Sequence, residues 1–238
     1  MKHHGVAPSF GTDYGLAPEL FMIRLLIVAL AWLVSVSRGG DTGGTRGTGG
    51  TAQTADPLAA RSKGKPTAAI TIYEMSDFQC PYCRAFTLET MPLLEREYIA
   101  TGKVRLVYVN LPLASVHKNA TLAAEVAMCA AAQGRFWPMH DLLFRNQPHW
   151  AELAAPRPFF FGLADSAGLD HTQLTRCLAS PATAALVKED GERARRSGAS
   201  STPTFYIEGG LLEGAAPITA FRAVLDSIYQ SKTRARAQ

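Results

Sequence analysis

The 238-residue chain predicts an α/β fold: a mixed central sheet into which an all-helical domain is inserted. Three observations carry this. Two apolar, β-branched runs at 68–75 and 103–111 are separated by a helical pattern, and strands joined through a helix run parallel. From 117 to 198 every periodic signal is helical. Two short strands joined at Gly209-Gly210, a favoured hairpin turn, then pair antiparallel before a closing amphipathic helix.

In chain order, the first segment reads as a targeting sequence. Arg24 precedes the apolar run Leu25–Val34, followed by the small residues Ser35 and Ser37, which is a secretory signal pattern. Residues 1–37 are therefore expected to be a signal peptide or, if uncleaved, a signal anchor through residues 20–37. The apolar run is shorter than the roughly 20 residues that span a bilayer, which favours a cleaved signal. Asp13 and Glu19 are out of place before such a run, and translation from Met22 would leave Met22-Ile23-Arg24 as an ordinary start. Residues 38–66 are rich in Gly, Thr and Ala, lack the apolar residues needed to offset ordering entropy, and predict a flexible linker. Export to the periplasm or another extracytoplasmic space places the chain where disulfides persist.

Charge adds little. The whole chain carries 24 Lys and Arg against 20 Asp and Glu, net +4. Residues 67–230 hold 14 against 16, net −2, so the surplus of positive charge lies in the flanks. No basic stripe crosses the expected fold, which argues against nucleic acid as a partner. Residues 231–238, with Lys232, Arg234 and Arg236, read as a solvated basic tail.

The expected sheet domain comprises 67–116 and 199–230, with the helical domain at 117–198. Its first strand spans Ala68 to Met75, and a helix runs from Pro81 to about Thr101 with Phe86, Leu93, Leu94 and Tyr98 on its apolar face. The second strand is Lys103 to Leu111, stopped by Pro112. Within the insertion, Ala120–Gln133, Trp137–Phe144 and Phe159–Ala167 read as helices. Asp170 caps a short helix and Ser180-Pro181 opens another towards Arg196. Thr204–Glu208 and Leu211–Gly214 make the hairpin, and Pro217–Tyr229 the last helix.

Cys80-Pro81-Tyr82-Cys83 stands where the first strand gives way to the helix. A thiol at a helix N-terminus meets unpaired backbone N–H groups and the positive end of the dipole, both of which favour the thiolate. Taken alone, the motif is either a redox dithiol or half a zinc site. Structural zinc usually takes a second close pair, whereas Cys129 and Cys177 are 48 positions apart. Pro81 also suits the first position of a helix. Cys129 and Cys177 fall on two predicted helices, either as a bridge or as two buried thiols. Export favours the bridge, which would contribute on the order of 4 kcal/mol. His117 and His140 read as packing or capping residues, so no metal site is expected. Trp137 and Phe159-Phe160-Phe161 read as core of the insertion.

Three segments in consistent order resemble the DsbA-like branch of the thioredoxin superfamily. They are Asp77-Phe78-Gln79-Cys80-Pro81-Tyr82-Cys83, the run Gln133–Phe144, and Ser201-Thr202-Pro203-Thr204-Phe205. The resemblance spans 67–229 and implies a thioredoxin fold with a helical insertion. It makes Cys80 the exposed nucleophile and Cys83 the less exposed resolving thiol, with Pro81 and Tyr82 tuning the redox potential. It implies a cis proline at Pro203, with Thr202 offering its backbone to an extended substrate. It also implies that Glu74 is a buried carboxylate assisting proton transfer, with Asp77 more exposed in the turn. The activity so implied is oxidation of cysteines in secreted proteins by a Cys80–Cys83 disulfide. Unfolded or reduced proteins would be the substrates, a membrane partner would re-oxidise the site, and no cofactor would be needed. The alternatives are a disulfide reductase or isomerase, and a chaperone or metal-binding module using the same dithiol.

Overall fold

The computed structural model describes residues 57–236. The expected signal segment, the Met22 start and linker residues 38–56 lie outside them. The strands are β1 (Ser62–Lys63), β2 (Ile70–Ser76), β3 (Val104–Asn110), β4 (Thr204–Ile207) and β5 (Gly210–Glu213), forming one sheet in the order β1–β3–β2–β4–β5. β2 and β3 are parallel, in register from Ile70↔Val104 to Ser76↔Asn110, because the helix between them carries the chain back to the starting edge. β4 runs antiparallel to β2, and β5 antiparallel to β4. β2 is thus central, and alternate β2 side chains, Ile70, Ile72, Glu74 and Ser76, share one face. All four are buried.

The crossover helix occupies residues 81–99 as α-helical Pro81–Ala85 and Met91–Leu94 alternating with π-helical Phe86–Thr90 and Glu95–Ile99. The first π turn leads into Pro92, which has no N–H to donate and whose ring crowds the preceding turn. Phe86 and Leu94 from this helix pack with Ile70, Ile72, Val104, Leu106, Phe205, Phe221 and Leu225 into one core. A second core belongs to the insertion and gathers around the Ala-rich helix Ala120–Ala132. Helices Phe136–Arg145, Arg157–Ala167, His171–Ala179 and Pro181–Arg196 follow, with a short turn at Gln147–Trp150. Asp170 accepts from the Gln173 N–H and Ser180 from the Ala182 N–H, so both predicted caps act as helix starts.

Three boundaries differ from expectation. The flexible linker does not reach residue 66: Pro57–Ala60 is helical and β1 pairs antiparallel with β3. Arg61 explains the ordering, because its buried guanidinium is tied to Asp190 near the end of the insertion, with Nη2 2.9 Å from Oδ1. Residues 231–236 are exposed at Ser231, Thr233, Arg234 and Ala235, as a solvated tail would be, but they continue a helix and are anchored at one point. The last helix spans Ile218–Arg236, and Lys232 donates to the Ala69 carbonyl and pairs with Glu208, both at 2.8 Å. The hairpin turns at Glu208-Gly209 instead of Gly209-Gly210. Both residues have positive φ (48° and 91°), as a two-residue turn matching the strand twist requires, and Gly210 instead pairs with Ile207.

Candidate active site

Cys80 caps the crossover helix in an extended conformation (φ −71°, ψ 125°), with Pro81 at the first helical position. Cys83 lies one turn on, fully buried, and both thiols are free. Cys80 is itself only 4% exposed, where the resemblance had implied an exposed sulfur. The loop holding the cis Thr202-Pro203 bond lies across it, and the Cys80 thiol donates to the Thr202 carbonyl at 3.3 Å. Tyr82, between the cysteines, is 66% exposed.

The two sulfurs have opposite electrostatics. A hydrogen bond from Cys83 is the main reason the Cys80 thiol is lowered to about 6. The N–H groups of Cys83 and Tyr82 at the helix start add to this, while partial burial opposes it. The Thr202 hydroxyl, buried and with no hydrogen-bond partner, also favours the charged sulfur. Cys83 is pushed well above the ordinary thiol range, first by burial and then by the adjacent Cys80. Its sulfur does accept a long contact, 3.5 Å, from the Asp77 N–H.

Asp77 is buried, contrary to its expected exposure in the turn. One of its oxygens accepts from the Gln79 N–H (2.7 Å); the other meets the Leu113 N–H and His117 Nδ1, each at 2.8 Å. Asp77 therefore braces the turn that presents the dithiol, and His117 holds it instead of capping a helix. Gln147, unremarked in the sequence, donates to the carbonyls of Phe78 (2.7 Å) and Cys80 (3.0 Å) and fixes the same turn from the insertion. A Gln-Pro dipeptide at a helix start was the only available signal for it.

Glu74 sits fully buried on central β2, opposite Tyr108 of β3 and Phe205 of β4. Desolvation raises its carboxyl to about 7, opposed by the Ser76 hydroxyl and the Lys63 charge. Ser76 also acts on Cys83, which places Glu74 and the resolving thiol around one hydroxyl. His140 is buried in a cage of Phe78, Tyr108, Phe136, Trp137 and Phe144, with Nδ1 2.9 Å from Asp141. Cys129 and Cys177 are joined by a disulfide between helices Ala120–Ala132 and His171–Ala179, away from the dithiol in sequence.

The chain is similar to several known proteins. The chain matches the family described as Thioredoxin over residues 59–227. A protein of Bacillus anthracis named probable disulfide bond formation protein D is 28% identical over 194 residues, covering 81% of this chain and 86% of that one. A Salinispora tropica protein named Na(+)/H(+) antiporter NhaA 3 is 34% identical over 176 residues, 74% of this chain; the match spans about a quarter (26%) of that protein's length. Among the described residues, no helix is long and apolar enough to cross a membrane. The oxidised BdbD structure from Bacillus subtilis superposes with a TM-score of 0.66 at 22% identity, covering 73% of this chain and 95% of that one. With a mixed sheet, a dithiol at the start of the crossover helix, a cis proline opposite it and helices inserted before β4, the chain belongs to the thioredoxin family, and its fold is like that of BdbD.

Proposed function

We propose that the chain is an exported thiol–disulfide oxidoreductase that oxidises cysteines of secreted proteins through a Cys80–Cys83 disulfide. The observation that carries this is the asymmetry of the dithiol: Cys80 held near 6 and Cys83 pushed far up. A stabilised Cys80 thiolate favours the reduced enzyme, which makes the disulfide the better oxidant. A substrate thiolate attacks Cys80 Sγ and Cys83 leaves as a thiolate that takes up one proton. A second substrate thiolate then attacks the substrate sulfur of the mixed disulfide and releases Cys80, leaving two electrons on the enzyme. Glu74, neutral up to about pH 7, supplies the proton Cys83 needs and accepts it back when the dithiol is re-oxidised by a membrane partner. Thr202 and Pro203 border the sulfur that unfolded or reduced proteins would reach, and strand-like pairing along that loop would accept many sequences. The Cys129–Cys177 bridge supports an oxidising location.

The deciding measurement is the reduction potential of Cys80/Cys83 with the Cys80 titration followed by thiolate absorbance. A potential nearer DsbA's, about −120 mV, with a titration near pH 6 is expected. A potential near thioredoxin's, about −270 mV, would assign the chain to reduction or isomerisation instead. Protection of unfolded clients that survives Cys80→Ser would point to a binding module.

A further inference from the structure

Beneath the dithiol, five polar atoms are buried without a hydrogen-bond partner: both Glu74 carboxyl oxygens, Ser76 Oγ, Tyr108 OH and His140 Nε2. Folded proteins pair nearly all such atoms, and a convergent set marks a place where water or a moving proton completes the pairing. The residues that carry them are neighbours. Glu74 and Tyr108 are lateral neighbours on β2 and β3, and Ser76 follows Glu74 on the same face. The Ser76 hydroxyl favours the charged forms of Glu74, Cys83 and Tyr108 alike, yet closes a hydrogen bond with none of them. The Tyr108 ring meets the His140 ring edge-on, at 5.4 Å between centroids. On its far side His140 is held by Asp141, whose side chain is 41% exposed. Asp141 lines a surface pocket of about 210 Å³ with Lys63, Thr87, Glu95 and Arg145. Thr87 Oγ1 is a further buried, unpartnered atom at that pocket.

We propose that Ser76, Tyr108 and His140 form an internal proton path joining Cys83 and Glu74 to solvent at the Asp141 pocket. The path rests on Glu74 serving Cys83 as proposed above. The Asp141 carboxyl is held below its usual range by His140, so it accepts and His140 Nδ1 carries the hydrogen, leaving Nε2 as an acceptor turned away from Asp141. That tautomer suits the reduced enzyme present here. On re-oxidation Cys83 gives one proton to Glu74; Glu74 passes one through the Ser76 and Tyr108 hydroxyls, each giving up its own hydrogen as it takes another, to Nε2, as Nδ1 releases one towards Asp141 and solvent. When Cys83 next leaves as a thiolate, one proton runs inward by the reverse exchange and the ring returns to its starting tautomer. No electron moves along the path. The charged or titratable groups facing it are Lys63 and Glu95 beside His140, Lys63 towards Glu74, and Asp77 and Cys83 towards Tyr108.

The test is the rate at which a small dithiol reduces the oxidised full chain, in H2O and D2O across pH 5–9. Glu74→Gln is expected to slow it about 100-fold. His140→Phe keeps an aromatic ring in the cage, and Asp141→Asn alters a half-exposed side chain, so the second variant stays readable should the first fail to fold. Both are expected to slow the reaction by about threefold to tenfold, with a larger solvent isotope effect and a flattened pH profile. Wild-type rates, isotope effects and profiles in both, beside a slow Glu74→Gln, would overturn the path while leaving Glu74's role in place. A wild-type rate in Glu74→Gln would remove that role and the path with it.

Discussion

Glu74 keeps its proton into the neutral range because β2 is central and every neighbour of the carboxyl is protein. The stability consequence has a definite sign. Below the unfolded value near 4.5 the group is protonated in both states, and burial of its charge costs nothing. Between that value and the folded one, about 7, the unfolded chain ionises and the folded one does not, so stability falls across that window and levels off above it, where both states are charged. Glu74→Gln, which cannot ionise, should gain on the order of 3 kcal/mol relative to the native chain between pH 4 and pH 8. Urea unfolding at the two pH values measures it; a pH-independent difference would contradict a buried, neutral carboxyl. The dithiol itself was legible in the sequence, because its spacing and the helix-start proline are local features. The burial of Asp77 and the grouping of Ser76 with Tyr108 were not, since they arise from strand register and from the His117 loop.

At the scale of elements, the segment 57–63 acts as a strap. The Arg61 carbonyl accepts from Tyr108 N–H at 3.0 Å, Trp137 Nε1 donates to the Ser62 carbonyl at 3.1 Å, and the Arg61 guanidinium reaches Asp190. Asp190 also accepts from the backbone and side chain of Asn110, so the end of β3 and the insertion share one buried carboxylate. Removing one partner of a buried ion pair strands the other, and Arg61→Ala should cost about 3–5 kcal/mol in thermal or urea unfolding. A loss under about 1 kcal/mol would mean that the pair does not brace the fold. Strand and helix positions were readable from periodicity, and the caps at Asp170 and Ser180 from residue type. The strap was not, because its two-residue strand carries no periodic signal and its order comes from one distant carboxylate. The one-residue displacement of the hairpin turn has a similar cause: the strand pairing with β2 sets the register, and Glu208 accepts a positive φ to keep it.

For the whole molecule, the insertion builds a core that includes both active-site cysteines and Cys129. The Cys129–Cys177 bridge closes a 48-residue separation within that core. Replacing both cysteines by alanine should lower stability by on the order of 4 kcal/mol, seen as a shift of the urea midpoint. An unchanged midpoint would show that packing alone sets the insertion. The alternating order of sheet, helical block and sheet could be read from the chain, whereas the pairing of these two thiols depended on how five helices fold together. That bridge has a consequence for the life of each copy. Under the proposed function, the chain contains one bond of the kind its own active site makes. A newly made copy is a client of disulfide chemistry before it is a catalyst, and a finished copy is competent to mature the next.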